Sequence, residues 1–556
     1  MVDDYYDLGA YGRTVSTDSV EAQQWFDRGL NWTYGFHHEE AISCFEQALE
    51  HDPTLVMAHW GIAYALGPNY NRQWGDFDDD EKREYLARAR AALESARANS
   101  NSASPVERSL VAALASRYPE DPSVEDFAPW NDAYANAMRE VYTAYPDDLD
   151  VRALFAESMM NRTPWQLWDL STGEPAQGAD TLETLDVLET AFRDLADRGA
   201  GTHPGLLHMY IHLVEMSPHP ENGLKAGDAL FDLVPDAGHL QHMPTHIDVL
   251  CGNYHDVVAR NDLGILADRK YLAREGPDNF YTVYRCHNYH FKIYGAMFLG
   301  QYEVALETAE ELEKTLSPEV VRPLADWLES FVPMKQHVLV RFGRWEEIKA
   351  QQLPEDRELY SFTTALMLYA KTVAGAASGD IPGAVAARDD FREAKAAVPE
   401  SRVLFNNTCL DILEVAEAML EGELAYRQGD HETAFAQLRR AVELDDTLPY
   451  DEPWAWMQPA RHALGALLLE QGRVEEAEAV YRADLGLDDT LSRASQHPDN
   501  VWALHGLHEC LMRRGEVSEM RMVMQRLDLA NARADVPIAA SCFCRLETIA
   551  QHQHHG

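Results

Sequence analysis

The stretch AQQWFDRGLNWTYGFHHEEAISCFEQALEHDP, residues 22–53, sets small residues and a stop at regular intervals. Counted from Ala22, Gly29, Ala41, Phe45, Ala48 and Pro53 fall at positions 8, 20, 24, 27 and 32. The same frame returns in LEGELAYRQGDHETAFAQLRRAVELDD (420–446), through Gly422, Gly429, Ala434, Leu438 and Ala441. It recurs in ALGALLLEQGRVEEAEAVYRADL (463–485), through Gly465, Gly472, Ala477 and Tyr481. A weaker copy surrounds ALHGLHECLMRRGEV (503–517), and FLGQYEVALETAEEL (298–312) and ASGDIPGAVAARDDF (377–391) read as degenerate units. Self-similarity of this kind marks a repeat array, and each copy reads as two helices joined by a short turn.

The pattern resembles the tetratricopeptide repeat (TPR), a 34-residue helix–turn–helix. That resemblance implies that the small residues mark the contact between helix A and helix B, and that the proline ends helix B. The fold expected is all-α, a TPR-like α-solenoid of antiparallel helix pairs forming a curved superhelix with a concave groove. Residues 1–160 read as N-terminal helix pairs, 182–310 as central histidine-rich units and 311–556 as C-terminal pairs. Between the first two, NRTPWQLWDLSTGEPAQGADT (161–181) breaks helical periodicity with two tryptophans, two prolines and two glycines, and reads as an ordered insertion.

Bulk composition excludes some partners. Lys+Arg 47 against Asp+Glu 92 gives a formal net charge of -45, which repels phosphate backbones and anionic lipid, so neither nucleic acid nor membrane is expected as a partner. The opening MVDDYYDLGAYGR has neither a basic nor an apolar leader region, and no later run approaches a membrane span. The chain is expected to be soluble and cytoplasmic. Seven cysteines without framework spacing fit free thiols, and the CFC at 542–544 is too close for an ordinary disulfide.

Ten of the 23 histidines lie between residues 203 and 290. His208 and His212 in HPGLLHMYIHLVEMSPHP (203–220) are followed, 34 residues on, by His242 and His246 in HLQHMPTHIDVL (239–250). That offset is one repeat, and it puts each pair at positions 5 and 9 of a helix A. Framing the next unit on Gly300 and Ala305 puts His287 at position 2, His290 at position 5 and Tyr294 at position 9. Glu215 takes position 12 of the first of these units. In the TPR family positions 2, 5, 9, 12 and 13 line the concave groove, so six histidines are expected to face one channel from three helices.

Imidazoles four residues apart on a helix can share one ion, and neighbouring helices bring further ligands. His208, His212, His242, His246 and His290 are therefore candidate metal ligands. Glu215, His287 and Tyr294 are candidates for orienting those ligands or moving protons, and Trp165 and Trp168 for lining a substrate site. The nearby sulfur of Met209, Met216, Met243, Cys251 and Cys286 tilts the metal toward copper over iron or zinc. Pro244 either starts its helix near Met243 or kinks it. His37 and His38 are expected to sit in an inter-helix turn and meet solvent, His239 and His255 drop out as ligands, and the QHQHHG at 551–556 is left out of the mechanism.

YIHLVE, HMPTHI and CHNYHF also resemble, in this order, motifs of a group of long, mostly uncharacterised TPR-domain proteins. The resemblance carries over to His212, Glu215, His242, Pro244, His246, His287 and His290, whereas His208 and Tyr294 rest on register. The chemistry expected is that of a histidine-ligated metal-dependent oxidoreductase, an oxidase or oxygenase acting on a small molecule with dioxygen as one candidate. The alternative is an interaction scaffold that grips a protein or peptide in the groove without catalysis. A homo-oligomer is compatible with either.

Overall fold

A computed structural model describes residues 5–121, 123–199 and 201–545. The chain is all-α apart from a two-residue hairpin, Val403–Leu404 against Asn407–Thr408, which holds the only paired strands among the described residues. It folds as two units: one built on the chain up to Ile247 and on Leu263–Tyr281, the other on Asp248–Asp262 and the chain from Thr282 onward. No described helix is long and apolar enough to cross a membrane.

Within the first unit, helix Val20–Tyr34 starts at Ser19, whose side chain accepts from the Ala22 backbone N–H and so satisfies one of the helix's orphan donors. Helix His38–His51 returns beside it and buries Ala41, Phe45 and Ala48, three residues spaced to share one face. Gly29 is required where the two meet: a Cβ there would lie 2.6 Å from the Phe45 ring. A Cβ at Gly61, on helix Val56–Ala65, would also lie 2.6 Å from that ring. One aromatic residue is thus wedged between glycines of two flanking helices, and its burial is worth about 1.5–3 kcal/mol.

The second unit repeats this packing. Tyr481 of helix Val474–Asp484 is clasped by Gly465 of Ala460–Glu470 and Gly506 of Val501–Arg514. Gly422 takes Leu438 in the same way between Cys409–Arg427 and His431–Asp446. Glycines with positive φ close the turns at Gly300, Gly429 and Gly472, where the left-handed backbone is open to glycine at no steric penalty. These helix hairpins are TPR-like in spacing and in their packing of small residues against large.

The 161–181 segment is non-helical and ordered. An isolated bridge joins Trp168 to Pro175, and the Trp168 indole donates to the Leu213 carbonyl at 2.7 Å, which ties the insertion to helix Pro204–Glu215. Two expectations are corrected. His37 is buried, stacked on Tyr281 with ring centroids 3.8 Å apart, so it does not meet solvent. Cys542 and Cys544 are joined as a disulfide, because the intervening turn holds their Cα atoms 5.2 Å apart, inside the bridging range. The QHQHHG segment lies outside the described residues.

Candidate metal centre

Helix Pro204–Glu215 is buried on every side. Pro204 opens it at the first turn, and His203 caps it, its Nδ1 accepting from the Leu206 N–H at 3.2 Å. The other wall is interrupted at Pro244. One short helix, Gly238–His242, ends before it, and a second, Pro244–Leu250, starts on it. A proline at the first helical turn forfeits no hydrogen bond, so the break puts His242 and His246 on either side of a helix junction.

The first unit brings together His208, His212, Glu215, His242 and His246, all 0–1% exposed. Each imidazole has one nitrogen committed. His208 Nδ1 lies 2.6 Å from the Tyr34 carbonyl oxygen, which can only accept, so Nδ1 carries the proton and Nε2 keeps a lone pair. Glu215 serves two rings: Oε1 accepts from His212 Nδ1 at 2.8 Å and Oε2 from His246 Nδ1 at 2.6 Å. The Thr245 hydroxyl donates to the His242 carbonyl at 2.7 Å, leaving its oxygen to accept from His242 Nδ1 at 3.3 Å. The Nδ1 atoms of His208, His212 and His246 are donors, so those three rings present Nε2 as a base, while His242 meets Thr245 through Nδ1 and His246 through Nε2.

Those bases converge. Nε2 of His242 and Nε2 of His246 are 2.8 Å apart. The Nε2 atoms of His208 and His212 are buried with no hydrogen-bond partner among the described residues. Ligand atoms of His208, His212 and His239 lie within 4.8 Å of one another, as do those of His212, Glu215 and His246. Burial pushes His208 down to about 3. Burial, followed by the charges of His208 and His242, pushes His212 well below the ordinary imidazole value. His208 and His212 are therefore neutral near pH 7, the form that binds metal.

Aromatic side chains enclose the imidazoles. Trp165 stands edge-on to His212 at 5.5 Å, Tyr70 lies 4.8 Å from the same ring, and Phe36 packs on His208 at 4.4 Å. Two of the residues here were not anticipated. His239, set aside in the sequence, joins His208 and His212, and its i,i+3 spacing from His242 was the available signal. Phe36 occupies repeat position 15, where Gly300, Gly429 and Gly472 stand in other units, and it adopts the same left-handed backbone with φ 55°. A bulky residue at positive φ stores strain, and here it delivers a ring to the histidines.

The other candidate residues belong to the second unit, on helix Tyr281–Leu299. His287 packs against Phe291 and Phe405. His290 Nε2 lies 2.8 Å from Met457 Sδ. Tyr294 stacks on Phe298, and burial beside Asp445 and Asp484 raises its phenol well above the usual range.

No protein-family model matches the chain, and no curated protein does either. Among solved structures, Naa15/Naa10 bound to HypK-THB is similar at 14% identity and a TM-score of 0.22, covering 92% of this chain and 70% of that one. The Cut9-Hcn1 hetero-tetramer of APC/C is similar at 13% identity and a TM-score of 0.25, covering 95% and 96%. The TPR-like character of this chain rests on its own helix hairpins.

Proposed function

We propose that the chain is a metalloprotein in which His208, His212, His242 and His246 bind a transition metal through Nε2, with Glu215 orienting two of them. The observation that carries this is the facing pair His242 and His246. His246 Nδ1 donates to Glu215, so its Nε2 turns a lone pair to His242 Nε2 at 2.8 Å. Two imidazole nitrogens that close either share a proton or can share a cation in its place. A carboxylate that holds the far nitrogen of a histidine is the usual support of a metal ligand, and Glu215 supplies it twice.

An imidazole donor set suits copper, iron and zinc, and copper is the favoured occupant. The chemistry proposed is metal-dependent oxidoreduction of a small molecule, with the Phe36, Tyr70 and Trp165 rings excluding water from the reacting atoms. The test begins with metal analysis of the untagged full-length chain and of His212→Ala. One transition-metal equivalent, lost in the variant, is expected, and a protein that neither retains nor binds metal would sink the proposal. Binding of redox-silent zinc alone would keep the centre and remove the oxidoreductase reading.

A second reading, an interaction scaffold, has its own support. Met512, Val517, Met522 and Leu529, on the last two described helices, are 52–73% exposed, more apolar surface than a helix pair needs to leave in water. Met522→Glu with Leu529→Glu should abolish co-purification of a stoichiometric protein partner. If no partner accompanies the parent chain, this reading fails.

A further inference from the structure

A separate cluster in the second unit carries donors of a different kind. His290 comes from helix Tyr281–Leu299, His337 from helix Met334–Arg341, and Met457 from the irregular segment before helix Ala460–Glu470. All three are 0–2% exposed. His290 Nε2 and Met457 Sδ are 2.8 Å apart, closer than a neutral N–H···S contact settles, since thioether sulfur is a weak acceptor. The Nδ1 atoms of His290 and His337 are buried without a hydrogen-bond partner among the described residues. His337 packs edge-on to Trp456 at 5.1 Å, next in the chain to Met457, and it is close enough to His290 for its charge to oppose protonation there.

A core that needed only to be filled would gain nothing from two imidazoles here, because each unmet polar nitrogen is costly to bury. We propose that His290, His337 and Met457 form a second metal site, specific for cuprous copper. The donors select the ion. Thioether sulfur favours Cu(I), whereas zinc sites are built from thiolate, imidazole and carboxylate. Burial dominates the environment of both rings, and a dry site takes a single positive charge far more readily than a double one. This assigns His290 to a nitrogen–sulfur site of its own, and binding there does not depend on the centre built on Glu215.

The experiment uses the full-length chain grown with selenomethionine and loaded anaerobically with Cu(I) from a competing chelator, then read by X-ray absorption at the copper edge. Selenium distinguishes Met457 from any cysteine. Copper with a selenium neighbour is expected. Met457→Leu, which conserves volume, should remove that neighbour and one equivalent of bound Cu(I). His337→Gln should weaken the same equivalent at least tenfold, and Glu215→Gln should leave the selenium signal in place. Copper with no selenium neighbour in the parent chain would overturn the proposal, as would a folded Met457→Leu that keeps both the neighbour and the stoichiometry. A selenium signal in a protein whose Glu215 centre binds nothing would uphold this site while removing the other.

Discussion

Glu215→Gln is the perturbation that separates a metal centre from a buried polar cluster. Glutamine keeps the shape of glutamate but replaces one acceptor oxygen with an NH2 donor. Today both carboxylate oxygens accept, from His212 Nδ1 at 2.8 Å and from His246 Nδ1 at 2.6 Å. In the variant one imidazole meets a donor, must move its proton from Nδ1 to Nε2, and so loses the lone pair that faces the ion. Loss of such an orienting partner weakens metal binding about 10- to 100-fold, or roughly 1.4–2.7 kcal/mol. The metal-free protein should respond in the opposite sense, because a carboxylate that is 0% exposed and lacks a cation is expensive to bury. Its melting temperature should hold or rise. Competition with a chromophoric chelator measures the first effect and calorimetry of the metal-free chain the second. Unchanged metal affinity together with a lower melting temperature would refute the argument, because that is the signature of a glutamate that only braces the core.

Three further outcomes follow from the packing and the buried charges. Gly506→Ala places a methyl group against the Tyr481 ring, which Gly465 already blocks from the other side, so denaturant melts should show a loss of about 1–3 kcal/mol. Phe36→Ala and Phe36→Gly both lose a ring that is 3% exposed, worth about 3–5 kcal/mol. The glycine variant should nevertheless be the more stable by about 1 kcal/mol, since it alone relieves the left-handed backbone; equal stabilities would remove the strain. Acid should destabilise the fold: burial pushes His37 and His38 down to about 3 and His462 down to about 4. Between about pH 6.5 and those values the unfolded chain binds protons that the folded one does not, so stability is lost as pH falls, about 2 kcal/mol per histidine at pH 5. Asp445, raised by burial to about 7, opposes this by roughly 2–3 kcal/mol, because its stabilisation is present in acid and lost as pH rises through 7. These four groups together lose about 3 kcal/mol from pH 8 to pH 5, and a urea midpoint that does not fall across that range would contradict the assignment.

Repetition is what made the fold readable. Gly29, Gly465 and Gly506 recur because each must admit an aromatic ring from a neighbouring helix, and that requirement is written directly into residue type. The histidine pairs were readable for the same reason: a 34-residue offset carries His208 and His212 onto His242 and His246, and spacing fixes which face they share. The tautomers were not readable. They depend on the Tyr34 carbonyl, which arrives from 174 residues away in sequence, and on a single carboxylate reaching across 31 residues to a second helix. Spacing carries no record of such long-range acceptors.

The positions that break the repeat say more about the centre than those that keep it. Phe36 stands where other units place a left-handed glycine, and Pro244 ends one helix and begins another between His242 and His246. A repeat built for stability alone would carry glycine at the first position and an unbroken helix at the second. Phe36 instead accepts a strained backbone and covers His208 at 4.4 Å, and the break at Pro244 lets His242 and His246 turn Nε2 to Nε2 at 2.8 Å. Both departures act on the same few side chains. Each departs from the repeat at the same place, so what they produce together, buried imidazoles facing one another, is the feature on which the proposed metal centre rests.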